Sequence, residues 1–282
     1  MRSITKPNLD ASVVFSDCVS VVQSENLRQR LTACAGLIED AEEEFERKIT
    51  RGRIHTIARE DRVNGNVSVK EFMNLYTGRM VGNPLGRIHY DKLLLSAPNG
   101  LCPLCGHRDV STLDHYLPKS KYPRLSVVPI NLVPSCKDCN TGKLVDFPVS
   151  PETETLHPYF DRIGNQRWLS LTVNKTTPLS VTYSVVDVLG SGALIFERIR
   201  EHFKAFGLQS LYATQAAREL TGIKLQLTNI FDNGAGFPGV QRFLRDSAES
   251  RSIDNLNSWQ AVLYEGLAND DWFCRLGFRT IA

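Results

Sequence analysis

The residues best able to do chemistry crowd into one stretch, Gly100 to Lys143. Cys102 and Cys105 stand two residues apart, as do Cys136 and Cys139, and 30 residues separate the two pairs. A two-residue gap lets both thiolates of a tight turn face one ion, and two such turns complete a closed tetrahedral shell. The spacing therefore predicts a structural zinc held by Cys102, Cys105, Cys136 and Cys139, with Gly106 serving the turn after the first pair. The interval exceeds that of ordinary zinc ribbons, so a functional insert is expected between the pairs. His107 offers a substitute ligand, but four thiols already fill the shell.

Within the insert lie Asp114 and His115, then Pro118; Asn131 sits in an apolar stretch, and Asn140 directly follows the last cysteine. An imidazole of ordinary pKa, near 6.5, is a competent base at neutral pH, and carboxylate and amide oxygens are hard ligands suited to Mg²⁺. This order of residues resembles the HNH endonuclease family, the ββα-metal nucleases. The resemblance runs from about Arg87 to Lys143, and more loosely over the aromatic-polar turn His157–Asp161. It implies two short strands and a helix around one divalent cation. The first strand would end at Leu113-Asp114-His115, the second would include Asn131 to Pro134, and the helix would start near Lys137.

The same resemblance assigns roles. His115 would be the general base that deprotonates the attacking water, and Asp114 a ligand to the catalytic cation. Asn131 would hold the loop and position the histidine without touching the metal. Asn140 stands at the third motif position, often histidine, and would be the second protein ligand. A His-Asn-Asn motif disfavours soft metals and favours Mg²⁺ or Mn²⁺. Lys143, Lys119 and Lys121 would contact phosphate, as would His157, for which a turn-stabilising role is the plainer reading. The implied activity is hydrolysis of a DNA phosphodiester to 5′-phosphate and 3′-hydroxyl ends, by an effector of a bacterial defence or mobile-element system. One rival is a zinc-ribbon-like nucleic-acid-binding module without catalysis, which would have no need of Asp114 and His115. Another is a nuclease subunit that stays silent until an ATPase or sensor partner engages its helical flanks.

The elements around this segment follow from periodicity. Ser24 reads as an N-cap for a long amphipathic helix over roughly 25–50, whose apolar face is Leu27, Leu31, Cys34, Ile38, Ala41, Phe45 and Ile49. Its acidic run, Glu39 to Glu44, reads as a solvated face. Residues 11–15 suggest a short strand or docking arm, Asn64-Gly65-Asn66 a turn, and Val69–Met80 a helix with Phe72, Leu75 and Tyr76 inward. A short helix is expected through Leu95. Beyond the motif, Trp168–Val173 and Leu179–Val186 alternate as a hairpin, Gly190–Gly192 punctuates, and helices follow from Ala193, with further ones near 221–231, 238–248 and 257–268.

The expected fold is thus α+β and mostly helical: an N-terminal helical region (1–83), a central zinc-stapled ββα-metal module (84–165), and a β-hairpin with C-terminal helices (166–282). The formal net charge of +2 is unevenly spread. Residues 1–83 carry 12 charges of each sign, 84–146 carry 8 positive and 5 negative, and 191–282 carry 10 of each, so the excess belongs to the motif segment. That favours a polyanion partner there. No apolar run reaches the roughly 20 residues of a membrane helix. With no secretory signal evident at the N-terminus, the seven cysteines are expected to be reduced, in the cytoplasm.

Overall fold

Asp10 caps the first helix. Its carboxylate accepts from the backbone N–H groups of Ser12 (2.8 Å) and Val13 (3.2 Å). Ala11–Ser20 (α1) is therefore helical, not the strand or arm expected, and it buries Ala11, Val14, Phe15, Cys18 and Val19 at helical spacing. In the computed structural model, which describes residues 1–142, 147–163, 166–187 and 193–282, the chain divides into two units, Met1–Arg162 and Ile163–Ala282. The N-terminal helices and the motif segment fall in the first unit. The chain is mostly helical α+β, with three two-stranded antiparallel sheets among the described residues, two in the first unit and one in the second.

In the first unit Ser24 caps Glu25–Thr32 (α2) as expected. The helix does not run on: Ala35–Ile49 (α3) starts anew after a turn at Cys34. There the Cys34 N–H bonds to Leu31 O (2.8 Å), three residues back, and its thiol donates to Arg30 O (3.4 Å), which tightens the backbone and bends the path. The apolar face survives the bend, because Leu31, Cys34, Ile38, Ala41, Phe45 and Ile49 are all buried.

Arg62–Val63 (β1) and Val67–Ser68 (β2) flank the Asn64-Gly65 turn, where both residues take positive φ. Ser68 and Glu71 form a capping box for Val69–Asn74 (α4), which widens into a π-helical segment, Leu75–Val81. Pro84–Leu94 (α5) crosses this segment at close range. A Cβ on Gly86 would lie 2.4 Å from Arg79 O, so only glycine permits the approach.

Thr112–His115 (β3) and Leu132–Ser135 (β4) pair antiparallel, with Asp114 opposite Val133 and His115 opposite Leu132, and the helix Lys137–Gly142 (α6) packs on β3. This strand–loop–strand–helix order is the one expected, with one shift. Asn131 ends the preceding 3₁₀ turn, Pro129–Asn131, and does not lie in the strand.

The second unit is built on the hairpin Leu169–Asn174 (β5) and Ser180–Val185 (β6). Helices Leu194–Ala205 (α7), Leu208–Ile230 (α8), Gly236–Asp254 (α9), Trp259–Ala268 (α10) and Asp271–Arg275 (α11) follow. The helix expected near 221–231 is the end of the continuous α8. α10 lies on β5 at Gly266, where a Cβ would meet Leu171 Cδ2 at 2.6 Å, and Tyr183 donates to Trp259 O (2.8 Å). The punctuation expected at Gly190–Gly192 lies outside the described residues.

Candidate functional site

The four motif cysteines converge. All are buried, and their sulfurs lie within 4.8 Å of one another. A tetrahedral ion with sulfur at about 2.3 Å needs sulfur–sulfur edges of about 3.8 Å, so the cluster could hold a structural metal such as zinc. The local turns suit that use. Gly106 takes φ +64° and donates to Cys102 O (2.7 Å), and a bridge between Leu101 and Asp109 closes the first turn. Backbone N–H groups point at sulfur in both turns, Arg108 to Cys105 (3.5 Å) and Cys139 to Cys136 (3.4 Å), as they do around bound thiolates. Arg108 also pairs with Asp138 (2.9 Å), tying the first cysteine turn to α6. His107 lies outside the cluster.

β3 delivers Asp114 and His115 at its end, and both are more than nine-tenths buried. The His115 ring meets Ser126 O through Nε2 at 2.9 Å. A carbonyl only accepts, so Nε2 carries the proton and the neutral ring's lone pair falls on Nδ1. Ser126 lies in the loop between the strands, and Asn131 fastens that loop. Fully buried, its Oδ1 accepts from Leu117 N (2.8 Å), while its Nδ2 donates to Leu117 O (3.0 Å) and Leu125 O (3.1 Å). Asn131 thus holds the backbone of the loop that carries Ser126, and its amide is taken up by Leu117 and Leu125.

Asn140, on α6, reaches Thr112 Oγ1 through Nδ2 at 3.5 Å. By the two-residue alternation of a strand, Thr112 and Asp114 share a face of β3, which puts Asn140 over the face that carries Asp114. The same alternation sends His115 the other way, at the last strand position, where its ring lies against that of Tyr76. His115 meets it edge-on at 4.4 Å between centroids, and Lys119 places its ammonium 5.0 Å from the ring centre. Burial foremost, then the Tyr90 phenol and the Asp114 carboxylate, pushes the Tyr76 phenol well above its ordinary value, so it stays a neutral hydroxyl. Burial lowers the Lys119 ammonium from its ordinary value, opposed by the charge of Asp114.

Of the other residues singled out, Lys121 is exposed and Lys143 lies outside the described residues. His157 is fully buried: Nε2 meets Ile130 O (3.1 Å), and Nδ1 accepts from Tyr159 N (3.2 Å) among the rings of Phe45, Tyr116 and Phe160. That is the turn-stabilising role, and it leaves no ring nitrogen to meet a phosphate.

Comparison with known proteins adds one likeness along the whole chain. It is 26% identical over 296 residues to protein ea31 of Escherichia phage lambda, covering 98% of this chain and 99% of that protein. No protein-family model matches the chain, and no solved structure matches it. Among the described residues no helix is long and apolar enough to cross a membrane.

Tyr76 is the residue that sequence reasoning missed. It reads there as an inward apolar position of a helix, which it is, and nothing in its spacing points to His115.

Proposed function

We propose that the protein is a metal-dependent endonuclease of the HNH kind, cutting DNA phosphodiesters, with a zinc at the four cysteines as its structural frame. The observation that carries this reading is the pair Asp114–His115 at the end of β3, with Asn131 pinning the loop that orients His115 and Asn140 over the face that carries Asp114. A pure binding module has no need of a buried acid–imidazole pair braced in this way.

Asp114 and Asn140 would hold a divalent cation such as Mg²⁺ or Mn²⁺, which when bound supplies positive charge to the phosphate and the leaving oxygen. His115 Nδ1 takes a proton from water as the water oxygen bonds to phosphorus. The bond from phosphorus to the 3′ oxygen breaks with its electron pair on that oxygen, which takes a proton from solvent, leaving a 5′-phosphate and a 3′-hydroxyl. Lys119, over the Tyr76 ring that meets His115, would offset phosphate charge, as would Lys121 and Lys143. The thiols fit a reducing compartment such as the cytoplasm.

A second reading, a nuclease silent until a protein partner engages its helical flanks, is favoured by the burial of Asp114 and His115, 5% and 8% exposed. The likeness to a phage protein agrees with a mobile-element setting. The testing experiment mixes zinc-loaded protein with supercoiled, linear, single-stranded and branched DNA, with and without Mg²⁺ or Mn²⁺. Cutting that needs the added metal supports the nuclease reading. No cutting of any form, alone or with candidate partners, sinks it.

A further inference from the structure

Tyr76 comes from outside the strand–helix segment, yet its ring meets two residues of the site, His115 and Lys119. It touches the imidazole of His115 edge-on at 4.4 Å, and its hydroxyl donates to Leu113 O at 3.4 Å, two residues before that histidine on the same strand. Lys119 sits over the ring at 5.0 Å, a cation–π arrangement that orients a flexible side chain. Asp114 acts on the same phenol by charge. Behind it stands Tyr90, 6.4 Å away, with Arg87 stacked on the Tyr90 ring at 4.5 Å and paired with Asp91 at 2.7 Å.

The backbone that carries Tyr76 is unusual. Leu75–Val81 is π-helical, a wider winding than α that recurs at functional sites. It is held from one side by α5, whose Gly86 lies against Arg79 O and Met80 Cα. Within the first unit, then, a segment before the strand–helix region supplies the ring that meets the imidazole. Ser126 fixes one ring nitrogen of His115; Tyr76 limits the tilt of the ring itself.

We propose that Tyr76 is a positioning residue for His115 and Lys119, so that the geometry of the reacting groups is set by the π-helical segment as well as by the strand–helix segment. This rests on the nuclease reading for its catalytic consequence, but the positioning itself has a readout independent of cutting. Losing the ring lets His115 reorient and Lys119 swing away. Losing only the hydroxyl removes one long hydrogen bond and keeps both ring contacts.

The test compares Tyr76→Leu and Tyr76→Phe with wild type, all zinc-loaded, by two measurements. The first is the histidine-ring ¹H–¹⁵N spectrum. Wild type and Tyr76→Phe are expected to show His115 as a single Nε2–H tautomer, with cross-relaxation between its ring and that of residue 76. Tyr76→Leu is expected to show mixed or shifted ring signals. The second is metal-dependent cleavage. Tyr76→Leu is expected to lose roughly 10- to 100-fold in kcat with KM within about twofold, as misorientation of a catalytic group predicts, and Tyr76→Phe to restore kcat.

A Tyr76→Leu protein with wild-type His115 signals and kcat overturns the proposal. If that variant fails to fold, the wild-type protein decides alone: no cross-relaxation between the two rings overturns it, and its presence with Tyr76→Phe unchanged supports it. If wild type cuts nothing, alone or with candidate partners, the nuclease reading falls, and the spectra still decide the positioning.

Discussion

His115 and Ser126 are joined across the loop between β3 and β4 by one hydrogen bond, from ring Nε2–H to the Ser126 carbonyl at 2.9 Å. This bond sets the tautomer, and with it which nitrogen can take a proton. It depends on a loop whose backbone is held by Asn131. Replacing Asn131 with Leu keeps the volume but leaves Leu117 N–H, Leu117 O and Leu125 O without the partners they have now. At about 1–3 kcal/mol for a buried unsatisfied group, with some relaxation, we expect a loss of about 3 kcal/mol. Urea unfolding of the variant measures it, and the His115 ring signals should broaden or shift in the same protein.

The four cysteines make a stoichiometric prediction. Purified protein should hold one zinc per chain by elemental analysis, and chelators should remove it slowly, because the sulfurs are buried. Cys136→Ser should lose the zinc and lower the melting temperature by roughly 10 °C or more, as expected when a structural site is lost.

How much of this was legible beforehand depends on the range of each signal. The cysteine turns and the order Asp114, His115, Asn131, Asn140 are local, and a spacing carries them. Ser24 as an N-cap and the Asn64-Gly65 turn are equally local. The break between α2 and α3 was hidden because Leu31, Cys34 and Ile38 keep helical spacing straight through it. Residues 11–15 misled because apolar residues in a row fit strand or helix alike, and Asp10 decides between them from outside the run. Tyr76 was hidden for a different reason: its bond to Leu113 spans 37 residues, and no periodicity records which apolar position faces an imidazole.

Acid should weaken the N-terminal helices through Glu71. Hydrogen bonds from the Arg30 guanidinium, and then from the Ser68 N–H and hydroxyl, lower its carboxyl from 4.5 to about 2. A depressed carboxyl contributes stability that is fully present above about pH 4.5 and is lost as pH falls towards about 2. Glu71→Gln should therefore be less stable than wild type by about 1 kcal/mol near neutral pH. The gap should close on acidification over that window. Thermal melts of both proteins from pH 7 down to 2.5 follow it, and a gap that stays constant with pH would refute the assignment.

Lys119 should report on the polyanion. If its ammonium meets a backbone phosphate, Lys119→Met should weaken DNA binding about equally for all sequences. It should also reduce the slope of log affinity against log salt by about 1. Fluorescence anisotropy across a salt series, with Ca²⁺ replacing Mg²⁺ to hold back cutting, measures both. Lys121→Met, at an exposed position, provides the comparison.

The most direct test concerns His115 itself. Zinc-loaded wild-type protein and His115→Ala are compared for nicking and linearisation of supercoiled plasmid in Mg²⁺ or Mn²⁺, with matched zinc content and melting temperature. If His115 is the base, the variant cuts at least about 100-fold more slowly. If His115→Ala cuts as fast as wild type, the account of the site is wrong.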